Sequence, residues 1–108
     1  MIVRLDTRRI VDKSSFHATF ADLMGFPDFY GANMDAWIDC MSSFRDGEAN
    51  ITQVHLGSDE RLLIEVTDTE GFRARLPDVF NDLVKCTASV NRRYVDMGGT
   101  PAIGLVFL

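Results

Sequence analysis

Two histidines, two cysteines and sixteen carboxylates carry most of the reactive potential of this 108-residue sequence. A catalytic reading finds little to work with. His17 and His55 lie in unrelated segments, and no HExxH, GxSxG or glycine-rich phosphate loop occurs. Cys40 with a distant histidine is the only nucleophile pairing, and Cys40 falls in the middle of a helical pattern beside its apolar stripe. His17 follows Phe16 and reads as a boundary residue of a helix, while His55 alternates with Val54 and Leu56 and reads as exposed. Metal binding would need ligands converging from several elements, and no spacing announces it. No catalytic residue, metal or cofactor is therefore assigned.

The carboxylates Asp35 and Asp39 are more informative. On a helix they stand about 40° apart, one turn above the other, on the side away from Met34, Trp37 and Met41. Like charges at this spacing repel by a few tenths of a kcal/mol, and no Lys or Arg follows on that helix to relieve them. The two are either a solvated acidic face or an anionic surface built to meet a partner's cations. Phe29 and Tyr30, set beside Gly31 in the preceding loop, favour the second, because aromatics next to charge are what interface hot spots use.

The overall charge agrees. There are 11 Lys and Arg against 16 Asp and Glu, a net charge of −5. Binding to nucleic acid by counterion release needs the opposite surplus, whereas a basic protein partner would be steered in by this field. No apolar run is long enough to cross a membrane, the first residues lack the apolar stretch of a leader, and two cysteines make no disulfide framework. These observations predict a cytoplasmic protein with free thiols and no nucleic-acid, membrane or small-molecule ligand. With 46% apolar residues in one domain spanning 1–108, a core forms without staples.

The elements that must hold the aspartates follow from periodicity. Ile2 to Leu5 is a short strand that breaks at Asp6-Thr7. Asp12 or Ser14 caps a helix whose Phe16, Phe20, Leu23 and Met24 share a face, and Gly25 and Pro27 stop it. A loop from Phe26 to Ala32 leads to Asn33, the expected N-cap of a helix with the buried stripe Met34, Trp37, Ile38 and Met41. A polar connection through Ser42, Ser43, Asp46-Gly47 and Asn50 follows. Leu62 to Val66 is a strand, with room for a further short one around Val54 to Leu56. Thr67, Asp68 or Thr69 caps a brief helix with Phe72 and Leu76, and Pro77 opens a longer one with Phe80, Leu83, Val84, Thr87, Val90 and Tyr94 inward. Gly98-Gly99 and Pro101 end that helix, and Ile103 to Leu108 is the last strand. Long helical connections between strands predict an α/β fold: a small parallel sheet of three strands, or four with the short one, packed with about four helices.

The segment Pro27-Asp-Phe-Tyr-Gly-Ala-Asn-Met-Asp-Ala-Trp-Ile-Asp-Cys40 resembles the signature of the barstar family, intracellular inhibitors of a secreted bacterial ribonuclease. Residues 27–40 match that pattern in type, position by position, and the element order fits over the whole chain. The resemblance implies a barstar-like fold with a three-stranded parallel sheet. It also implies inhibition by mimicry, with Asp39 in the target's phosphate-binding pocket and Asp35 meeting a neighbouring basic residue. Phe29, Tyr30, Gly31 and Asn33 would shape the contact loop, with Ile38 and Ser42 completing the contact set. The implied partner is a basic bacterial ribonuclease or toxin domain bound 1:1, the acidic face having no complementary basic patch on its own chain.

Several positions depart from the family pattern. Phe29 lacks the hydroxyl of the usual Tyr, Ala32 replaces an acid, and Trp37-Ile38 reverses the usual aliphatic–Trp order. Arg92 and Arg93 stand near the place of an acid expected late in the last helix, and the connection from Ser42 to Arg61 is longer. These departures motivate an alternative, a barstar-type scaffold that binds a basic partner other than a ribonuclease.

Overall fold

The structure, a computed structural model, describes residues 1–46 and 52–108. Strand β1 (Ile2–Leu5) runs into a 3-10 turn at Thr7–Arg9, and helix α1 (Lys13–Met24) follows. Helix α2 (Met34–Met41), strand β2 (Leu62–Val66), helices α3 (Thr69–Arg75) and α4 (Pro77–Asp96), and strand β3 (Ile103–Phe107) complete the order. The strands are parallel in the order β1-β2-β3, in register with Leu5 beside Val66 and Val66 beside Phe107. This is the expected α/β architecture of three strands and four helices.

Strand pleating explains which residues look inward. Leu62, Ile64 and Val66 alternate into the core, where they meet Leu5 and Ile103. On the opposite face Ile2 and Arg4 are exposed, and Arg4 pairs with Glu65 at 3.5 Å. The core is completed by Phe16, Phe20 and Met24 from α1, Trp37 and Met41 from α2, and Leu83 and Val90 from α4.

Three expectations need correction. Val54 to Leu56 forms no strand: Leu56 is buried and its N–H donates to the Phe44 carbonyl, so this stretch packs as irregular chain beneath α2's exit. On α4, Val84 is exposed and Val79 takes the inward place, while Phe80 is half-buried against Phe107. The stripe is the 79-83-87-90-94 series, one step round from the 80-84 pair. His17 is no boundary residue but is buried, because the loop after α1 folds back over it. Asp46 is described, whereas Gly47 and Asn50 of the polar connection lie outside the described residues.

Helix ends follow the local chemistry. Asp12 accepts from the Ser15 N–H while the Ser15 hydroxyl serves the Asp12 backbone, a reciprocal cap at the start of α1. Gly25 closes α1 at φ 65°, a left-handed turn where a Cβ would also run into the Gln53 side chain at 2.6 Å. Asn91 of α4 accepts from the N–H groups of Ala102 and Ile103 and donates to the Ile103 carbonyl. That clamp fixes where β3 begins relative to α4.

Candidate functional site

Helix α2 is aimed by its cap and by its one large aromatic. Asn33 Oδ1 accepts from the Ala36 N–H at 2.8 Å, and its Nδ2 donates to the Gly31 carbonyl at 3.3 Å. The cap therefore ties loop to helix. Gly31 sits close enough that an added Cβ would stand 3.2 Å from Asn33 Nδ2, and the next residue, Ala32, takes a left-handed φ of 52°. Trp37 is wholly buried, edge-on to Phe20 at 5.5 Å between ring centres. With Trp37 and Met41 inward, the helical period turns Asp35 and Asp39 outward, and both are exposed.

The two loop aromatics part company. Phe29 is 78% exposed, a large ring held out in solvent. Tyr30 is half-buried, stacked at an angle on Phe26, with its hydroxyl on His17 Nδ1. Burial pushes the Tyr30 phenol up and the His17 imidazole down, the latter offset in part by the Asp82 carboxylate. Tyr30 thus belongs to the scaffold as much as to the surface. A cavity of about 230 Å³ lies beside this pair, lined among others by Lys13, His17, Asn33, Met34 and Asp82.

Ile38 is half-buried beside the core, and Ser42 is half-buried with its hydroxyl donating to the Ile38 carbonyl at 2.6 Å. Ser43 does likewise to the Asp39 carbonyl at 3.1 Å. Both hydroxyl protons are committed to the backbone of α2, though the oxygens keep lone pairs for an incoming donor.

The largest departure from expectation concerns Asp39. Its Oδ1 receives a hydrogen bond from Arg93 Nη1 of α4 at 2.8 Å, with side chains 70% and 51% exposed. The acidic face does have a cation on its own chain, supplied by the packing of α4 against α2 and not by α2 itself. Asp82, Cys86 and Arg93 follow one stripe of α4, since eleven residues make about three turns. Cys86 feels the result: burial, then Asp82 and Asp35, push its thiol up. Burial and then Asp39 push Cys40 up as well, so neither thiol is activated as a nucleophile. Among the described residues no group of three His, Cys, Asp or Glu could hold a metal ion, and no helix is long and apolar enough to cross a membrane.

A three-stranded parallel sheet carrying a short capped helix, whose outer face presents two aspartates behind an aromatic loop, defines an α/β protein of the barstar type. The sequence model of the Barstar (barnase inhibitor) family matches residues 1–105, essentially the whole chain, and the chain belongs to that family. None of the curated proteins matches it. At the family level its relatives are inhibitors, not enzymes.

Proposed function

We propose that this protein is a cytoplasmic bacterial immunity protein that blocks a basic ribonuclease or toxin by docking the loop and the outer face of α2 into its active site. The observation that carries the reading is the pair Asp35 and Asp39, both exposed on α2 of a chain in the barnase-inhibitor family. In that complex Asp39 stands where an RNA phosphate would sit, facing the Arg, Lys or His groups that serve hydrolysis. Asp35 meets a basic residue nearby. Phe29 supplies the exposed aromatic anchor, Tyr30, Gly31 and Asn33 hold the loop's shape, and Ile38 and Ser42 border the contact. The negative net charge speeds the encounter. The complex is 1:1.

The test is inhibition of RNA hydrolysis. Purified protein is titrated into barnase and into basic ribonuclease domains from polymorphic toxins, with binding followed in parallel. Stoichiometric loss of cleavage with at least one of them is the expected result. Absence of binding and inhibition across the panel would overturn the reading.

A second reading keeps the scaffold and changes the target to a basic partner that is not a ribonuclease, such as another class of toxin. It is favoured by Ala32 in place of an acid and by the arginine resting on Asp39. A pull-down from the producing cell separates the two, since a nuclease dominates the captured material only under the first.

A further inference from the structure

The ion pair between α2 and α4 contributes little to holding the fold together, because both side chains are more than half exposed and the helices are already joined beneath them. Its position is nevertheless fixed. Tyr94, the next residue, is buried, donates its phenol proton to the Met41 carbonyl at 2.9 Å and packs on Phe44. That anchor ties the end of α4 that carries Arg93 to the end of α2. The guanidinium then reaches Asp39 through a single contact, Nη1 to Oδ1. The neighbouring Arg92 turns away and pairs with Asp96 on its own helix. Asp35, one turn before Asp39, has no ion pair among the described residues.

We infer that Arg93 is an internal competitor on the docking face: its guanidinium occupies the place at Asp39 that a target's cation must take, and so sets the affinity below which basic molecules are not retained. The inference rests on the reading that the α2 face is the docking surface. Any cation arriving at Asp39 has to displace Arg93, so its apparent affinity is multiplied by the fraction of time Asp39 is open. The same factor applies to every cation. A polycation held only by diffuse charge falls below useful affinity, while a target that buries Asp39 among several donors tolerates the loss. Asp35 remains open for the first encounter. The partner that fits is thus a protein with a preformed, multi-donor basic pocket, the kind that grips a phosphate, and not a merely basic surface.

The experiment compares Arg93→Ala with Arg92→Ala, two exposed substitutions that change net charge equally, after circular dichroism has shown both to be folded. Hexa-arginine peptide is titrated onto each, with the backbone amides of Asp39 and Cys40 followed by NMR. Arg93→Ala is expected to bind the peptide at Asp39 about two- to fivefold more tightly than Arg92→Ala, the range an exposed ion pair supports. Equal tightening in the two variants would reduce the effect to bulk charge and overturn the inference, as would no tightening in Arg93→Ala. A ribonuclease that binds the native protein gives a second arm: it should bind Arg93→Ala more tightly, and weaker binding would mean that Arg93 contacts the target directly. If no ribonuclease binds, the functional reading fails while the peptide titration still decides the role of Arg93.

Discussion

Tyr94 and Met41 are joined by a buried hydrogen bond of 2.9 Å, phenol to main-chain carbonyl, across 53 residues of sequence. It is a buried polar fastening between the C-terminal turns of α4 and α2. Replacing Tyr94 with Phe leaves the Met41 carbonyl without that donor, a loss of about 1–3 kcal/mol. Urea unfolding of Tyr94→Phe should show the lower midpoint with an unchanged slope. An unaltered midpoint would mean that water replaces the phenol at no cost.

The same phenol gives an alkaline limit. Burial pushes Tyr94 up to about 12, and Tyr30 is raised by burial too. An unfolded Tyr releases its proton near pH 10, so between pH 10 and 12 the unfolded chain binds fewer protons and stability falls as pH rises. Stability measured at pH 9, 10.5 and 11.5 should decline over both steps in the native protein and decline less in Tyr94→Phe.

His17 sets the behaviour on the acid side. Its folded-state value lies below the ordinary 6.5, chiefly through burial. Below pH 6.5 the unfolded chain therefore binds a proton that the folded chain refuses. Stability is complete above that pH and falls as the pH drops toward the folded-state value. Asp6 and Asp12, held down by their hydrogen bonds to Arg8 and Ser15, lose their contribution only lower, as the pH falls through the carboxylate range. Urea midpoints at pH 7.5 and 5.5 should differ in the native protein and converge in His17→Gln.

Asp39→Ala should cost about 2–5 kcal/mol of affinity for an inhibited ribonuclease, mainly through faster dissociation, because the target's cations are left buried without a counter-charge. Asp35→Ala should cost less. Stability of the free protein should change by no more than about 1 kcal/mol, the exposed pair with Arg93 being all that is lost. Surface plasmon resonance beside an unfolding curve measures both. A stability loss with unchanged affinity would make Asp39 structural and end the mimicry argument.

Asn33 separates cap from contact. Asn33→Ala removes the bond to the Ala36 N–H and should destabilise by about 1 kcal/mol, while Asn33→Asp keeps an acceptor there. Thermal unfolding of the pair, with ribonuclease affinity alongside, tells whether any loss of binding travels with the helix start.

Most of the fold was legible because it is written locally. The strands Ile2–Leu5 and Leu62–Val66, the cap at Asn33, the stop at Gly25 and the proline at the head of α4 each follow from neighbouring residues. The outward turn of Asp35 and Asp39 followed from the burial of Trp37 in the same way. What escaped depends on contacts between distant segments. Nothing near position 17 announces that Tyr30 will cover it, and Leu56 is buried without belonging to a strand. Arg93 was visible as a basic residue late in the last helix, but its destination was not. The clue was the spacing of 82, 86 and 93, which puts Arg93 on the stripe of Asp82 and Cys86, beside α2.

The parallel order of the sheet has a consequence for when the protein can act. Strand β1 finds its neighbour only after some sixty further residues exist, the terminal amine of Met1 bonding the Arg61 carbonyl. Helix α2 is completed later in the chain still, since Tyr94 and Arg93 arrive 53 and 54 residues after the groups they meet. Contacts so far apart in sequence slow folding, because the loops must close before the pairing rewards them. On the ribosome the acidic surface therefore emerges early as a segment and becomes a finished surface late, once α4 has left the exit tunnel. Premature release before residue 94 would yield a chain with the whole signature segment and no settled geometry for it.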